Sequence, residues 1–322
     1  MGGVGREMAG GNTAVAGDVV AGRYQTVACE RLTLKAYAKV NLTLEVLGKR
    51  DDGYHNVATI LQTVDLADTL EINHADELAV ECDEPGLSGD RNLAWKAAEA
   101  LAERVGISPR AHIRIEKKIP AAAGLGGGSA DAAATLVGLN RWWGLGRSRE
   151  ELADVAAGLG SDVPFLLTGG TALGSGRGDE ISPLPALPAM DMLLVVPEDR
   201  IDAKTPTMYR ALKPEDFSDG ARTQAISRGL GSGTLTSAGG CNAFERAARE
   251  IFPGLARVWD RVAGVTQHPP RLSGAGPAFY CMPSSESERI RVAESLQGTG
   301  AAAYLVQTIS PAGGDGAQSQ IQ

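Results

Sequence analysis

The chain has 322 residues and a formal net charge of −8, with 43% hydrophobic and 22% charged residues; that is the balance of a globular protein with room for one large domain or two ordinary ones. An acidic chain without a run of basic residues excludes non-specific nucleic-acid binding, and no stretch of 18 apolar residues is present to span a membrane. Four widely spaced cysteines, Cys29, Cys82, Cys241 and Cys281, match neither a zinc knuckle nor a disulfide framework, so a reducing, cytoplasmic setting is expected.

Residues 1–28 are rich in Gly and Ala and lack the basic and apolar regions of a signal peptide, so they read as a flexible extension. From Leu32 to Val46 every even position is apolar, which predicts one or two half-buried strands and places Lys39 and Asn41 together on the non-core face. The Asp51–Tyr54 segment DDGY is a turn signal, and strand-like stretches follow near Val57–Val64, Thr69–Asn73 and Leu78–Cys82. A helix is expected over Asn92–Val105, closed by Gly106, then a strand over His112–Lys117. Further helices are expected over Ser129–Trp143 and Ser148–Leu159. Five glycines between Gly169 and Asp179 predict a hairpin or a flexible loop.

Composition shifts near Pro183–Pro188, which suggests domains over 29–185 and 186–312 with a tail over 313–322. Beyond the shift come a strand (Met192–Val196), a variable polar stretch to about Gly240 and one helix from Ala243 to about Val262. RLSGAGPAFYCM then reads strand–turn–strand, followed by a helix (Ser285–Leu296) and a strand (Ala303–Thr308). The order strand, helix, strand, strand, helix, strand predicts a ferredoxin-like second half.

The strongest chemical signal is PAAAGLGGGSAD, Pro120–Asp131, between a strand and a helix. Glycines bring successive N–H groups close to a ligand, and the helix start adds partial positive charge, so the segment suits a phosphate chain. The alternative is a structural turn with Ser129 as an ordinary N-cap. No Gly-Lys-Ser/Thr follows, so it is not a Walker A loop. Three weaker signals accompany it. AKVNL (Ala38–Leu42) could be a plain exposed strand face, GSDVPF (Gly160–Phe165) could carry a solvated turn Asp162, and LSGAGP (Leu272–Pro277) could be a plain hairpin.

Taken in this order, and with DGYH at Asp52–His55, these segments resemble the GHMP kinases, the family of galactokinase, homoserine kinase and mevalonate kinase. The resemblance runs from about Leu32 to Ser310, and the combination is far more specific than any one piece. It implies an α+β, two-domain GHMP kinase fold: an N-terminal domain like ribosomal protein S5 domain 2 and a ferredoxin-like C-terminal domain. It also implies transfer of the γ-phosphoryl group of ATP, with Mg²⁺, to a hydroxyl. The closer match within the family is to members whose alcohol is a cytidine-diphosphate-linked methylerythritol, in the non-mevalonate isoprenoid route. On that footing Asp162 is the expected base and Lys39 its partner. The expected ATP contacts are Asn92 near the adenine, Lys117, Pro120, Ala123, Gly124, Leu125, Gly126, Gly127, Gly128 and Ser129, with Ser129 also beside the metal. Expected on the substrate side are Asn41, Tyr54, His55, Asp162, Thr205 and Tyr209, with Tyr54 and Tyr209 sandwiching cytosine and His55 reading its edge.

No nucleic-acid or membrane partner is expected, and the chain is expected to be a monomer or weak homodimer. Two departures stand out: Asn242-Ala243 where relatives usually carry Asn-Asp, and Ala121 and Ala122 where some carry Met or Gly. Another GHMP kinase is disfavoured because an aromatic clamp is wasted on a substrate without a base. A non-catalytic nucleotide-binding module could dispense with Lys39 and Asp162, and a glycine-rich structural protein would not frame its glycines with coherent strands and helices.

Overall fold

The computed structural model describes residues 31–230, 240–310 and the backbone of 319–321. The extension over residues 1–28, Cys29 and most of the C-terminal tail lie outside the described residues. The first sheet is built on two 19-residue strands, β1 (Arg31–Lys49) and β2 (His55–Asn73), paired antiparallel across the DDGY turn. The three stretches expected after the turn therefore resolve differently: two fuse into β2, and Leu78–Cys82 stands alone as β3. β4 (Ala111–Glu116) joins between β2 and β3, and β5 (Thr171–Ser175) with β6 (Glu180–Pro183) forms the hairpin that carries the Gly169–Asp179 glycines.

Four helices cover this sheet: α1 (Leu93–Val105), α2 (Gly127–Trp142), α3 (Arg149–Leu159) and the short α4 (Val163–Thr168). Local chemistry fixes their ends. The Asn92 side chain caps α1 and left-handed Gly106 closes it, and Ser148 with Glu151 forms a capping box on α3. The even positions of β1 from Leu32 to Leu42 lie in the core beneath α2, whereas Leu44 and Val46 join the core of the second sheet.

The second sheet runs in the order β11 (Ala302–Gln307), β7 (Asp191–Val196), β10 (Phe279–Cys281), β9 (Arg271–Leu272), all antiparallel. That order, with helices between the strands, is the ferredoxin-like arrangement read from the sequence. Both faces of its central strands, β7 and β10, are buried. Met192, Leu194 and Val196 of β7 face the first core, while Leu193 and Val195 join a second core with Phe279, Leu255, Val258 and Trp259. A strand with two apolar faces reads as the unbroken run MLLVV rather than as an alternation.

The helix expected over Ala243–Val262 is two: α7 (Glu245–Ile251) and α8 (Pro253–Ala263). Pro253 is the cause, since it cannot donate to the preceding turn but suits the first turn of a new helix. The polar stretch before it also holds structure: α5 (Lys204–Arg210), a 3₁₀ turn at Pro214–Asp216 and α6 (Ala221–Gly229). α6 and β8 (Cys241–Asn242) return the chain to β1, where β8 pairs parallel. α9 (Glu286–Ser295) precedes β11, and β12 (Ser319–Ile321) pairs with the start of β1. Cys82, Cys241 and Cys281 are free thiols, and no described helix is long and apolar enough to cross a membrane.

Candidate active site

The register of β1 against β2 shifts between Tyr37 and Lys39 and again between Asn41 and Thr43. These irregularities bracket Lys39–Asn41 and re-aim both side chains. Far from forming an exposed strand face, Lys39 and Asn41 are only 2% and 3% exposed, because the glycine loop closes over them. The Lys39 N–H donates to the Leu125 carbonyl, which stitches the strand to that loop. Its ammonium donates to Asn41 Oδ1 at 2.8 Å, and Asn41 in turn donates to the Thr59 hydroxyl at 2.8 Å. A buried ammonium needs such a network plus a counter-charge. Asp162 supplies the charge, with Oδ2 3.4 Å from Lys39 Nζ. Asp162 sits at the N-cap position of α4, yet its carboxylate makes no capping bond; about a third exposed, it is turned to Lys39.

α2 begins two residues earlier than the sequence suggested. Its N-cap is Gly126 in the left-handed conformation (φ 75°), so Ser129 lies in the first helical turn and is not the cap. That frees its hydroxyl toward the cleft it lines. Gly124 (φ 92°) touches the second turn backbone to backbone: a Cβ there would stand 2.3 Å from the Ser273 carbonyl oxygen. The Ser273 hydroxyl donates to the Gly124 carbonyl at 3.0 Å, and Ala278 N–H donates to Ala123 O at 2.9 Å. LSGAGP is thus the surface against which the glycine loop is seated. Asn242 anchors it in turn, donating to the carbonyls of Leu272 and Gly274 and accepting from the Phe244 N–H.

These parts line a cleft of about 1220 Å³ that runs from Leu93 and Ser129 past Lys39 and Asp162 to Tyr54, His55 and Tyr209. Of the residues picked from sequence, it gathers Lys39, Asn41, Tyr54, His55, Pro120, Ala123, Gly124, Gly126, Gly127, Gly128, Ser129, Asp162, Thr205 and Tyr209.

Three do not line it. Asn92 uses its carboxamide in the cap of α1 and on the Leu87 carbonyl, and its neighbour Leu93 faces the cleft instead. Leu125 is a core side chain that offers only its backbone. Lys117 is buried below the helix start between Asp68 and Asp131, 2.7 Å from Asp131 Oδ2. Burial works against its charge, but the two carboxylates prevail and raise its pKa. Burial, opposed by Lys117 and reinforced by Asp68, pushes Asp131 up to about 7. Lys117 therefore supports the loop from beneath and is not free to meet a nucleotide.

The aromatic pair also differs from expectation. Tyr209 stacks on His55, with ring centroids 4.5 Å apart, whereas Tyr54 is 55% exposed and carries the Arg177 guanidinium 5.0 Å above its ring. Burial, helped by the Lys49 charge, lowers the His55 pKa, so the imidazole is neutral at pH 7 and offers one donor and one acceptor. Burial and the Asp162 charge raise Tyr209 to about 12. Sequence reasoning missed Arg177 and Lys204, both of which line the cleft. Arg177 was in view within TALGSGRGD, and Lys204 directly precedes Thr205.

Among the described residues no group of three or more His, Cys, Asp or Glu is placed to hold a metal ion. The donor set still fits Mg²⁺ bound chiefly by nucleotide phosphates, with the uncommitted Ser129 hydroxyl as a protein ligand.

The family described as "GHMP kinases N terminal domain" matches residues 92–170. A 4-diphosphocytidyl-2-C-methyl-D-erythritol kinase of Dehalococcoides mccartyi is 38% identical over 281 residues, covering 87% of this chain and 99% of its own length. The enzyme of that name from Moorella thermoacetica is 40% identical over 288 residues, covering 86% and 99%. A solved structure of 4-(cytidine 5'-diphospho)-2C-methyl-D-erythritol kinase superposes with a TM-score of 0.73 at 34% identity, covering 87% of this chain and 100% of that one. Homoserine kinase from Cytophaga hutchinsonii, at 17% identity and TM-score 0.69 over 93% of this chain, shares the fold.

Proposed function

The chain belongs to the GHMP kinases, in the branch of the 4-diphosphocytidyl-2-C-methyl-D-erythritol kinases, and from that we propose that it transfers the γ-phosphoryl group of ATP to the 2-hydroxyl of that cytidylated alcohol. The reaction is a step in the non-mevalonate route to isoprenoid precursors. The observation that carries the chemistry is the Lys39–Asp162 pair at 3.4 Å, set against a glycine loop at a helix start.

Asp162 accepts the proton of the substrate hydroxyl as its oxygen forms the new bond to the γ-phosphorus. The bond from that phosphorus to the β–γ bridging oxygen breaks, and ADP leaves with that oxygen. Such a transfer asks the protein for alignment and charge compensation more than for covalent chemistry. Lys39 supplies both: Asn41 fixes its ammonium at 2.8 Å, so it orients the Asp162 carboxylate and offsets charge at the reacting oxygens. The N–H groups of Gly126–Ser129 and the start of α2 receive the phosphates. Ser129 would hold Mg²⁺, which neutralises phosphate charge when bound. Leu93, not Asn92, offers the adenine an apolar wall.

At the far end, Tyr54 gives the cytosine a stacking face, and neutral His55, braced by Tyr209, meets its edge with one donor and one acceptor. Thr205 lines the same stretch of cleft.

The test is ADP release from Mg·ATP with the cytidylated alcohol, homoserine and mevalonate in parallel. Turnover confined to the cytidylated alcohol supports the proposal. Turnover with either of the others keeps the phosphoryl chemistry and overturns the base-reading role of Tyr54 and His55.

A further inference from the structure

The cleft holds a charge that the transfer scheme above leaves without a task. Lys204, the first residue of α5, is half-buried, and its ammonium donates to the carbonyls of Ala122 in the glycine loop and Gly276 in the second turn. One side chain from a third element thus spans both turns. Among the described residues it forms no ion pair, and backbone carbonyls solvate a cation without neutralising it. Burial, then the Lys39 charge, lowers its pKa to about 8; Asp162 opposes the shift and Arg200 adds to it. Lys39 and Lys204 therefore line a cleft in which the acidic side chain is Asp162.

The backbone is strained at this point as well. The two described non-glycine residues with left-handed backbone are Ala122 (φ 56°), whose carbonyl accepts from Lys204, and Ala203 (φ 45°), which immediately precedes it. Strain of this kind persists where the surroundings over-determine it, commonly at sites of function.

A half-buried ammonium held near a second ammonium, with one carboxylate for both, is short of an anion. Two of its three N–H donors go to carbonyls, which leaves one for a ligand in the cleft. We infer that Lys204 is the second cation of the transfer site and binds the γ-phosphate of the nucleotide across from Lys39. The inference rests on the kinase reading and extends it. It gives the segment after β7 a direct contact with the group being transferred, so that the ammonium ties the two turns together while it meets that group.

The test separates this role from that of a simple tie between the turns. Lys204→Met and Lys204→Arg are compared with wild type for binding of ADP and of the non-hydrolysable β,γ-imido analogue of ATP, with thermal melting as the folding control. Loss of one charge-assisted hydrogen bond is expected to weaken the analogue by about tenfold or more in Lys204→Met while ADP stays within about threefold. Lys204→Arg is expected to recover most of the analogue affinity, and turnover should fall in step with it. Equal weakening of both nucleotides would reduce Lys204 to a tie and overturn the inference, as would unchanged binding of both. A wild-type protein that bound neither nucleotide would overturn the kinase reading, and this inference with it.

Discussion

The imidazole of His55 lies flat on the phenol ring of Tyr209, with centroids 4.5 Å apart and planes inclined by 16°. Tyr209 is itself held by the edge of Phe244, whose centroid is 4.9 Å away. The stack fixes the plane of a neutral imidazole and thereby the directions of its donor and acceptor. Removing the ring in Tyr209→Ala should loosen that orientation and cost about 1 kcal/mol of substrate binding, a roughly fivefold rise in KM for the cytidylated alcohol. Tyr209→Phe keeps the ring and should stay near wild type. The check is a KM and kcat determination for both variants; a loss confined to kcat would place Tyr209 nearer the reacting group than to the base.

Asp162→Asn keeps the shape of the side chain and removes its ability to accept a proton. The expected result is a fall in kcat of about 10²–10⁴-fold, the range of general-base contributions. Binding of ADP should remain within a few-fold, because the loop glycines and α2 are untouched. Rapid-quench turnover with parallel ADP titration checks both halves; an unchanged kcat would remove Asp162 from the chemistry.

The pieces legible in the sequence are the local ones. Alternation from Leu32 to Val46 marks a strand because the even positions of β1 are buried, under α2 as far as Leu42 and in the second core at Leu44 and Val46, and Asn92, Gly106 and Ser148 mark helix ends because capping acts within a turn or two. Lys39, Ser129 and Asp162 sit in short segments whose backbone places them. What the sequence hides is pairing at a distance. Lys117 stands three residues before the loop, yet Asp68 and Asp131, 49 and 14 residues away, claim its ammonium. Tyr209 meets His55 because α5 is carried across the cleft, and no local pattern states which rings will touch. α5 and α6 are short and mostly solvated, so they bury too few side chains to print a period. The single helix read through Pro253 is the remaining error, and there local chemistry did hold the signal.

Gly124 and Gly128 stand four residues apart in one loop but face opposite constraints. Gly124→Ala must place a Cβ 2.3 Å from the Ser273 carbonyl oxygen with the backbone at φ 92°, so one of the two turns has to move. A loss of about 1–3 kcal/mol is expected from the strained backbone alone, with the clash in addition. A Cβ on Gly128 meets nothing within 4 Å, and the residue is helical, so Gly128→Ala should melt no lower than wild type and gain up to about 1 kcal/mol. The open space above Gly128 is where a phosphate is expected, so the same variant should raise KM for ATP. Melting curves set against nucleotide KM test the pair, and a Gly128→Ala variant with unaltered KM would move the phosphate chain elsewhere in the cleft.

Asp131 gives the fold a pH dependence of unusual sign for a carboxylate beside a lysine. Its Oδ1 is buried without a hydrogen-bond partner, and Asp68 shares the Lys117 ammonium. Burial first, then the Asp68 charge, raises its pKa from 3.8 to about 7 against the pull of Lys117. A folded-state pKa above the unfolded value means that between about pH 4 and pH 7 the native protein holds a proton the unfolded chain has released. Native stability attributable to this group is therefore greatest near pH 4 and declines as pH rises toward 7. Asp131→Asn cannot titrate, so its stability relative to wild type should improve steadily across that interval. Urea unfolding of the two proteins at pH 4.5, 5.5 and 6.5, read as the difference between them, isolates the effect from every other titrating group. A difference that stayed flat, or that ran toward wild type as pH increased, would show Asp131 to be ionised throughout and held as a plain ion pair by Lys117.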